Sequence, residues 1–362
     1  MSRDSLSQSQ SLAFSVMAKI MASQYQNHSK SVTRWLGFMC LLIIAMIVVG
    51  GATRLTNSGL SITEWKPITG ALPPLSQADW ISEFEKYKLI PEFEAEHPDM
   101  TLKEFEFIYF WEWGHRQLGR FIGLAFLLPF FFFLWKRKIP QGRSKGFWLA
   151  GALIGVQGAI GWWMVSSGLK GDAVSVSQYR LATHLGLAFI ILGMFFWMFL
   201  DARKGWPIKA NQHGYKRSAA LMIAVWVQVI MGAFVAGLGA GRVSRDWPDM
   251  GGQFIPYNYW VPDLGFANLF ENAVNVHFNH RMMAYFLLAG VIAAFVTLSK
   301  DKARLTKRVA LILLIAVIWQ AGLGIATIIF EVPLWKALLH QASAIFVFLI
   351  AVYMVWTTRL AD

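Results

Sequence analysis

Long apolar runs separated by short polar segments dominate this chain. Eight of the runs approach or exceed the roughly 20 residues that an α-helix needs to cross a bilayer. They lie at 36–52, 108–135, 146–165, 180–200, 218–240, 272–298, 309–330 and 332–357. The pattern predicts an all-α integral membrane protein with eight transmembrane helices. Because the number of spans is even, both termini are predicted to lie on one side of the membrane.

The charged residues predict the orientation of the spans. The formal net charge of +12 comes largely from short linkers between alternate spans, near 136–145, 203–217 and 300–308. Basic linkers stay on the cytoplasmic side, so these linkers and both termini are predicted to be cytoplasmic. The same rule explains the charge without a polyanion, and nucleic-acid binding is not expected. The segment 53–107 is long and acidic, and is predicted to be an outward loop.

Composition supports the membrane assignment and limits the redox chemistry. Hydrophobic residues make up 56% of the chain, against about 45–50% in ordinary soluble domains. The single cysteine, Cys40, excludes an intramolecular disulfide. The first residues are rich in Ser and Gln and do not resemble a signal peptide. Residues 1–34 are therefore predicted to form a polar cytoplasmic tail.

The two halves of the chain resemble each other. Residues Gly50, Gly59, Glu64, Trp65, Gly70 and Pro74 are matched 182 positions later by Gly232, Gly241, Asp246, Trp247, Gly252 and Pro256. Gln157 and Gly161 are matched by Gln320 and Gly324. Four spans in each half give both copies the same orientation. The chain is therefore predicted to form two duplicated four-helix bundles, a front half (35–204) that includes the long loop and a back half (205–362).

Four histidines lie inside apolar spans at matching places in the two halves. They are His115 and His184 in the front half, and His280 and His340 in the back half. An ionisable side chain is costly inside a membrane and indicates a function. Two imidazoles from facing helices suit a haem iron, whereas a directly bound zinc or iron ion needs three or more ligands together. The sequence predicts one haem site in each half, with polar pairing between helices as the alternative.

Several charged residues lie close to these histidines in sequence. Arg180 and Lys336 each lie one turn outward from a predicted ligand and are placed to meet haem propionates. Glu112, Arg116 and Arg120 share one helical stripe with His115. The separation of four residues between Glu112 and Arg116 is also that of a simple ion pair on a helix, and both interpretations stay open.

The matching stripe in the back half contains His277 and Arg281. The repeat aligns His277 with Glu112 rather than with a histidine. We therefore expect His280 to bind the iron and His277 to lie beside it.

Three long motifs resemble one known family, haem A synthase. They are EFEFIYFWEWGHRQLGR from Glu104, NVHFNHRMMAY from Asn275, and GGATRLTNSGLSITEWKPITGALPP from Gly50. The third is similar to the first outward loop of the family, and the resemblance extends over all eight spans. The match is to the branch found in mitochondria and Gram-negative bacteria. Members of another branch carry a cysteine pair in an outward loop, which this chain lacks.

The resemblance implies an enzyme that oxidises a ring methyl group of haem O to a formyl group, giving haem A for cytochrome oxidase. It implies a resident haem b in the back half, ligated by His280 and His340, and a haem O substrate in the front half, ligated by His115 and His184. Glu112 matches the acidic, catalytic residue of the family. The cations expected to contact the haems are Lys336 and Arg281 for haem b, and Arg116, Arg120 and Arg180 for haem O.

The resemblance also suggests where the protein acts and with what. A bacterial inner membrane is expected, with a mitochondrial inner membrane as the alternative. The expected contacts are membrane lipid, a farnesyltransferase that supplies haem O, and a redox donor such as a ferredoxin at the basic face. The oligomeric state is open, with a homo-oligomer as one option.

Two other functions fit parts of the sequence pattern. A di-haem b-type electron carrier would share every histidine, but it would not need Glu112 beside one iron. A transporter would place its polar groups at the membrane midplane, whereas here they lie towards the outward end.

Overall fold

The computed structural model describes residues 30–204, 206, 214–298 and 304–360. Its helices are α1 (Lys30–Leu55), α2 (Gln77–Lys88), α3 (Pro91–Glu96), α4 (Leu102–Trp135), α5 (Ser144–Gly168), α6 (Gln178–Arg203), α7 (Tyr215–Gly237), α8 (Asn268–Glu271), α9 (Ala273–Leu298), α10 (Arg304–Ile329) and α11 (Leu334–Leu360). Eight of them are long and apolar enough to cross a membrane. The prediction of an all-α membrane protein with eight spans is confirmed.

The first long helix begins earlier than the sequence predicts. Residues 30–34, which were predicted to belong to the polar tail of residues 1–34, form the start of α1. Residues 1–29, and parts of two basic linkers within 203–217 and 300–308, lie outside the described residues.

The long helices pack as two rings of four. In the front ring α1 contacts α4 and α6, and α5 contacts the same two helices. In the back ring α7 and α10 each contact α9 and α11. The helices that carry the histidines therefore face each other diagonally, α4 across from α6 and α9 across from α11. This arrangement agrees with the predicted duplication, while the division of the chain near residue 205 stays a prediction.

The two rings meet along four helices. α6 packs against α7 and α11, and α1 packs against α11. Gln341 on α11 donates a hydrogen bond to the carbonyl oxygen of Ile47 on α1 (2.8 Å). Trp226 on α7 donates one to the carbonyl oxygen of Gly186 on α6 (3.0 Å). The side-chain donors satisfy backbone carbonyls across the interface, so the rings are joined by polar contacts as well as by apolar packing.

A buried carboxylate joins the rings at the end opposite to the histidines. Asp201 on α6 is 2% exposed. It accepts hydrogen bonds from Trp356 Nε1 (2.8 Å) and Arg359 Nη2 (2.7 Å), both on α11. Arg143, in the linker before α5, lies 3.8 Å away. A charge this deeply buried needs such partners, so α6 and α11 are held together here.

The predicted outward loop 53–107 is about half helical. α1 continues to Leu55 and α4 begins at Leu102, which leaves residues 56–101 between them, and α2 and α3 lie within that segment. Two capping boxes explain the difference. The side chains of Ser76 and Asp79 cap the start of α2, and those of Thr101 and Glu104 cap the start of α4. The motif of Ser or Thr followed three residues later by an acid is a helix start signal.

We call residues 56–101 the cap segment, because apolar packing fixes it over the end of the front ring. A separate core cluster joins it to α4 and α5; its buried members are Leu60, Ile62, Phe84, Tyr87, Ile90, Phe105, Ile108, Tyr109, Val165 and Val176. The main core of both rings lies on the other side of the histidine layer. The front histidines therefore lie between two apolar layers.

Candidate functional site

The four histidines lie at one level of the two rings. His115 is on α4 and His184 is on α6, the diagonal pair of the front ring, and His280 and His340 occupy α9 and α11 in the back ring. All four side chains are half-buried. The helix contacts place α4 across from α6 in the front ring and α9 across from α11 in the back ring. The structure thus places the two histidines of each predicted pair on facing helices, and their joint ligation of a haem stays a prediction.

A glycine on the preceding long helix faces each imidazole. A Cβ atom added to Gly50 would lie 3.3 Å from Nε2 of His115, and one added to Gly232 would lie 3.3 Å from Cε1 of His280. The other two pairs are Gly161 with His184 (3.0 Å) and Gly324 with His340 (2.9 Å). A side chain at any of these positions would press on the imidazole, most severely at Gly324. The glycines therefore let each imidazole pack directly against the neighbouring helix.

Three of the histidines are held by a glutamine one turn before the facing glycine. The carboxamide nitrogens of Gln157, Gln228 and Gln320 each lie 3.2 Å from Nδ1 of a histidine and donate to the backbone carbonyl of the same residue (2.9–3.1 Å). The histidines are His184, His280 and His340 respectively. The carboxamide oxygen of each glutamine is buried without a hydrogen-bond partner. Each of these glutamines therefore has an unpaired hydrogen-bond acceptor, its Oε1 atom, near its histidine.

These features fit haem ligation. An imidazole that binds iron is almost always oriented by a further hydrogen-bond partner. Here each of the three glutamines donates through its amide nitrogen to the backbone carbonyl of its histidine and so holds the imidazole in position. Within the described residues no group of three or more His, Cys, Asp or Glu side chains is arranged to hold a metal ion directly. The histidines are present as pairs.

Glu112 is fully hydrogen-bonded in the front half. Its side chain is only 2% exposed. One carboxylate oxygen accepts from the hydroxyl of Ser61 and the backbone N–H of Ile62, both at 2.8 Å. The other accepts from Arg116 at 2.6 and 3.1 Å. The ion pair that the spacing allowed is therefore present within α4, and the bonds from Ser61 and Ile62 join the carboxylate to the cap segment.

The matching arginines anchor the same part of the chain in both halves. Arg116 Nη1 donates to the carbonyl oxygen of Glu64 (3.1 Å), and Arg281 Nη1 donates to that of Asp246 (3.1 Å). Glu64 and Asp246 are equivalent positions in the repeat. Arg281 has no acid beside it on α9, because His277 occupies the position of Glu112. His277 is 2% exposed, and its Nδ1 atom is buried without a hydrogen-bond partner.

The remaining cations of the predicted sites contact protein groups. Arg120 donates to the carbonyl oxygens of Lys66 (2.9 Å) and Pro67 (3.0 Å) in the cap segment, and its Nη1 is buried without a partner. Arg180 lies over the ring of Trp163, 4.7 Å from the ring centroid, and donates to the carbonyl oxygen of the same residue. Lys336 lies over the ring of Phe330, 2.9 Å from the centroid. The contact of these three residues with haem stays a prediction.

Comparison with known proteins decides the family. Residues 33–352 match the model of the COX15-CtaA family, described as cytochrome oxidase assembly protein. The chain belongs to this family. Among curated members it is 49% identical to the "Heme A synthase" of Maricaulis maris over 337 residues, covering 92% of this chain and 97% of that protein.

Other relatives of this family member carry the same name. The "Heme A synthase" of Paracoccus denitrificans is 46% identical over 87% of this chain and 84% of its own length. That of Bradyrhizobium diazoefficiens is 47% identical over 92% of each chain. These relatives are bacterial, and the described part of the chain contains eight helices long and apolar enough to cross a membrane. The chain is therefore a multi-pass bacterial membrane protein.

Sequence reasoning missed two features of this COX15-CtaA family member. Gln228 was not recognised, although it lies four residues before Gly232 just as Gln157 lies before Gly161, and that spacing was the available signal. The second is Glu92 in the cap segment, which is 5% exposed and accepts a hydrogen bond from the Tyr87 hydroxyl (3.3 Å). Burial raises the pKa of Glu92 to about 8. No pattern in the sequence separates it from the exposed acids around it.

Proposed function

We propose that this chain is a haem A synthase, which oxidises a ring methyl group of haem O to a formyl group and so supplies haem A to cytochrome oxidase. Family membership over most of the chain supports the activity. The observation that carries the assignment of the site is the presence of two diagonal histidine pairs, each imidazole facing a glycine. A chain that binds only one porphyrin has no need for two such pairs.

We assign the substrate to the front half and a resident haem b to the back half. In this assignment His115 and His184 ligate haem O, and His280 and His340 ligate haem b. Two differences support it. The front half places Glu112 where the back half has His277, and the cap segment covers only the front ring. A reaction site gains from a proton carrier and from exclusion of water, whereas a haem that only passes electrons needs neither.

Oxidation of the methyl group removes four electrons in total. Two successive hydroxylations of the methyl carbon, each of which takes one dioxygen, two protons and two electrons from the redox donor and releases one water, give a gem-diol. Loss of a further water gives the formyl group. Haem b, when bound, supplies one-electron transfer to or from the front site. Glu112 accepts or returns a proton at its carboxylate, and Arg116 keeps that carboxylate oriented. Arg120 and Arg116 hold the cap segment in place, because both donate to its backbone carbonyls.

The other cations and the location follow from the same assignment. Arg180 on the front half, and Arg281 and Lys336 on the back half, are proposed to meet the propionates. We propose the bacterial inner membrane as its location, with both termini cytoplasmic, since the described basic residues of the linkers follow or precede the ends of the spans that lie away from the histidines. A farnesyltransferase that makes haem O and a ferredoxin-like donor are the proposed partners.

The test is to purify the full chain from cells that make haem O and to identify the extracted haems by chromatography and mass. Haem b together with haem O, a hydroxylated form or haem A is expected. Haem b alone in every preparation would contradict the proposal and favour a di-haem electron carrier.

A further inference from the structure

One of the four histidines lacks the glutamine that holds the other three. The position four residues before the facing glycine is occupied by Gln157, Gln228 and Gln320 in three cases, and by Met46 in the fourth. Met46 precedes Gly50, which faces His115. The methyl carbon of Met46 lies 3.3 Å from where a Cβ atom on Gly119 would be, one turn beyond His115 on α4. The methionine thus places an apolar group against α4 one turn from His115.

The glutamines have a definite effect on an imidazole ligand. A carboxamide that contacts both Nδ1 and the backbone carbonyl of one histidine fixes the rotation of the ring. Partners of this kind behind a ligating imidazole also support its bond to the metal. Loss of such a partner typically weakens metal binding by about 10- to 100-fold.

Met46 supplies neither effect, because a thioether donates no hydrogen bond and accepts one only weakly. In the part of the chain that the structure describes, no hydrogen bond to the His115 ring is found. The front half therefore has one held ligand, His184, and one unheld ligand. In the back half both His280 and His340 are held.

We propose that His115 is the releasable axial ligand of the front site, and that Met46 makes it releasable by withholding the hydrogen bond that the three glutamines supply. The identity of the departing haem rests on the proposed function; the difference between the two halves does not. A substrate site must release its product in every cycle, whereas a resident cofactor must stay. Met46 is a positioning residue in this scheme, since it acts only through His115.

The experiment compares haem release from each site alone. His280→Ala removes a ligand of the back site, and His115→Ala removes one of the front site, so each background isolates the other site whichever haem it binds. Purified full-length protein in detergent is mixed with excess apomyoglobin, and haem transfer is followed optically. Carbon monoxide binding to the reduced protein gives a second readout, because carbon monoxide takes the position of a ligand that detaches.

In the His280→Ala background, Met46→Gln should slow haem release about tenfold and reduce carbon monoxide binding by a similar factor. Met46→Leu is the matched control and should keep the fast release, because leucine also lacks hydrogen-bonding atoms. In the His115→Ala background, Gln228→Met should speed release about tenfold. This reciprocal variant answers the question independently if Met46→Gln does not fold.

The outcomes separate the two proposals. Unchanged release in a folded Met46→Gln protein, or in Gln228→Met, overturns the role of Met46. Equal acceleration by Met46→Leu and Gln228→Met would also overturn it, since packing rather than hydrogen bonding would then set the rate. If release changes as expected but haem O is never converted in wild-type protein, the ligand assignment holds and the enzyme proposal fails.

Discussion

Arg116 and Arg281 make the same contact in the two halves of the molecule, to the carbonyl oxygens of Glu64 and Asp246. Around them the halves differ. Arg116 also pairs with Glu112, while Arg281 has His277 at the equivalent position and donates to two further carbonyl oxygens, those of Pro248 and Asp249. The shared contacts are those that build a binding frame. The differences lie next to the imidazoles, where chemistry would take place.

The largest effect is expected from removing Glu112. Glu112→Ala should reduce conversion of haem O by about 100-fold or more, while haem b content stays near that of wild type. The measurement is haem A output per bound haem b. Because Glu112 also holds the cap segment, Ser61→Ala serves as the control; it removes one hydrogen bond to the carboxylate but leaves the acid. Similar losses in both variants would favour an anchoring role over proton transfer.

The second comparison removes one ligand from each half. His280→Ala should lower haem b content at least tenfold and leave the front site able to bind haem, because the two pairs are on different helices. His115→Ala should do the reverse. Optical spectra and extracted haems give both contents. Loss of both haems in either single variant would show that the two sites are not independent.

A third comparison uses pH, and it concerns only the half with the cap segment. Because burial raises the pKa of Glu92 to about 8, the folded cap favours the protonated acid. The stabilisation is complete below the ordinary carboxyl pKa and is lost as pH rises through about 8. Proteolysis of residues 56–101 should therefore accelerate from pH 7 to pH 9, and the loops of the back half should not follow.

Glu92→Gln should remove this pH dependence, because the amide mimics the protonated acid. The charged or titratable groups around Glu92 are Tyr87, Arg54, Glu112 and Glu96, none of which the substitution alters. An unchanged pH profile in the variant would assign the effect to another group.

The smallest effect is expected at the surface of the cap segment. Lys86 pairs with Glu64 and Glu83 at 2.7 and 2.9 Å, and hydrogen bonds from Lys66 and Lys86 lower the pKa of Glu64 to about 2. The side chains of Lys86 and Glu64 are exposed to solvent. Lys86→Ala should therefore destabilise the cap segment by less than about 1 kcal/mol. The difference should vanish at high salt in the same proteolysis assay. A larger, salt-independent loss would show a packing role for the lysine.

The spans and the histidine pairs were predictable because bilayer length and internal repetition leave strong signals. The repeat alone predicted that His115 pairs with His184. The contacts between helices agree with this prediction, because they place α4 and α6 diagonally in one ring of four helices. The helices within the cap segment were not foreseen, although the Ser76 and Thr101 capping boxes were visible in the sequence. The two contacts of Glu112 with Ser61 and Ile62 could not be foreseen, since they depend on how the chain there folds back onto α4.

Asp201 belongs to the front half but takes its hydrogen bonds from Trp356 and Arg359 of the back half. A front half produced alone would leave this buried carboxylate with Arg143 as its nearest remaining cation. Stripping a buried charge of its partner destabilises a protein by about 3–5 kcal/mol, a large share of the stability of most domains. The front copy in this chain therefore depends on the back copy, and any ancestor that consisted of a single copy must have lacked this dependence on its neighbour.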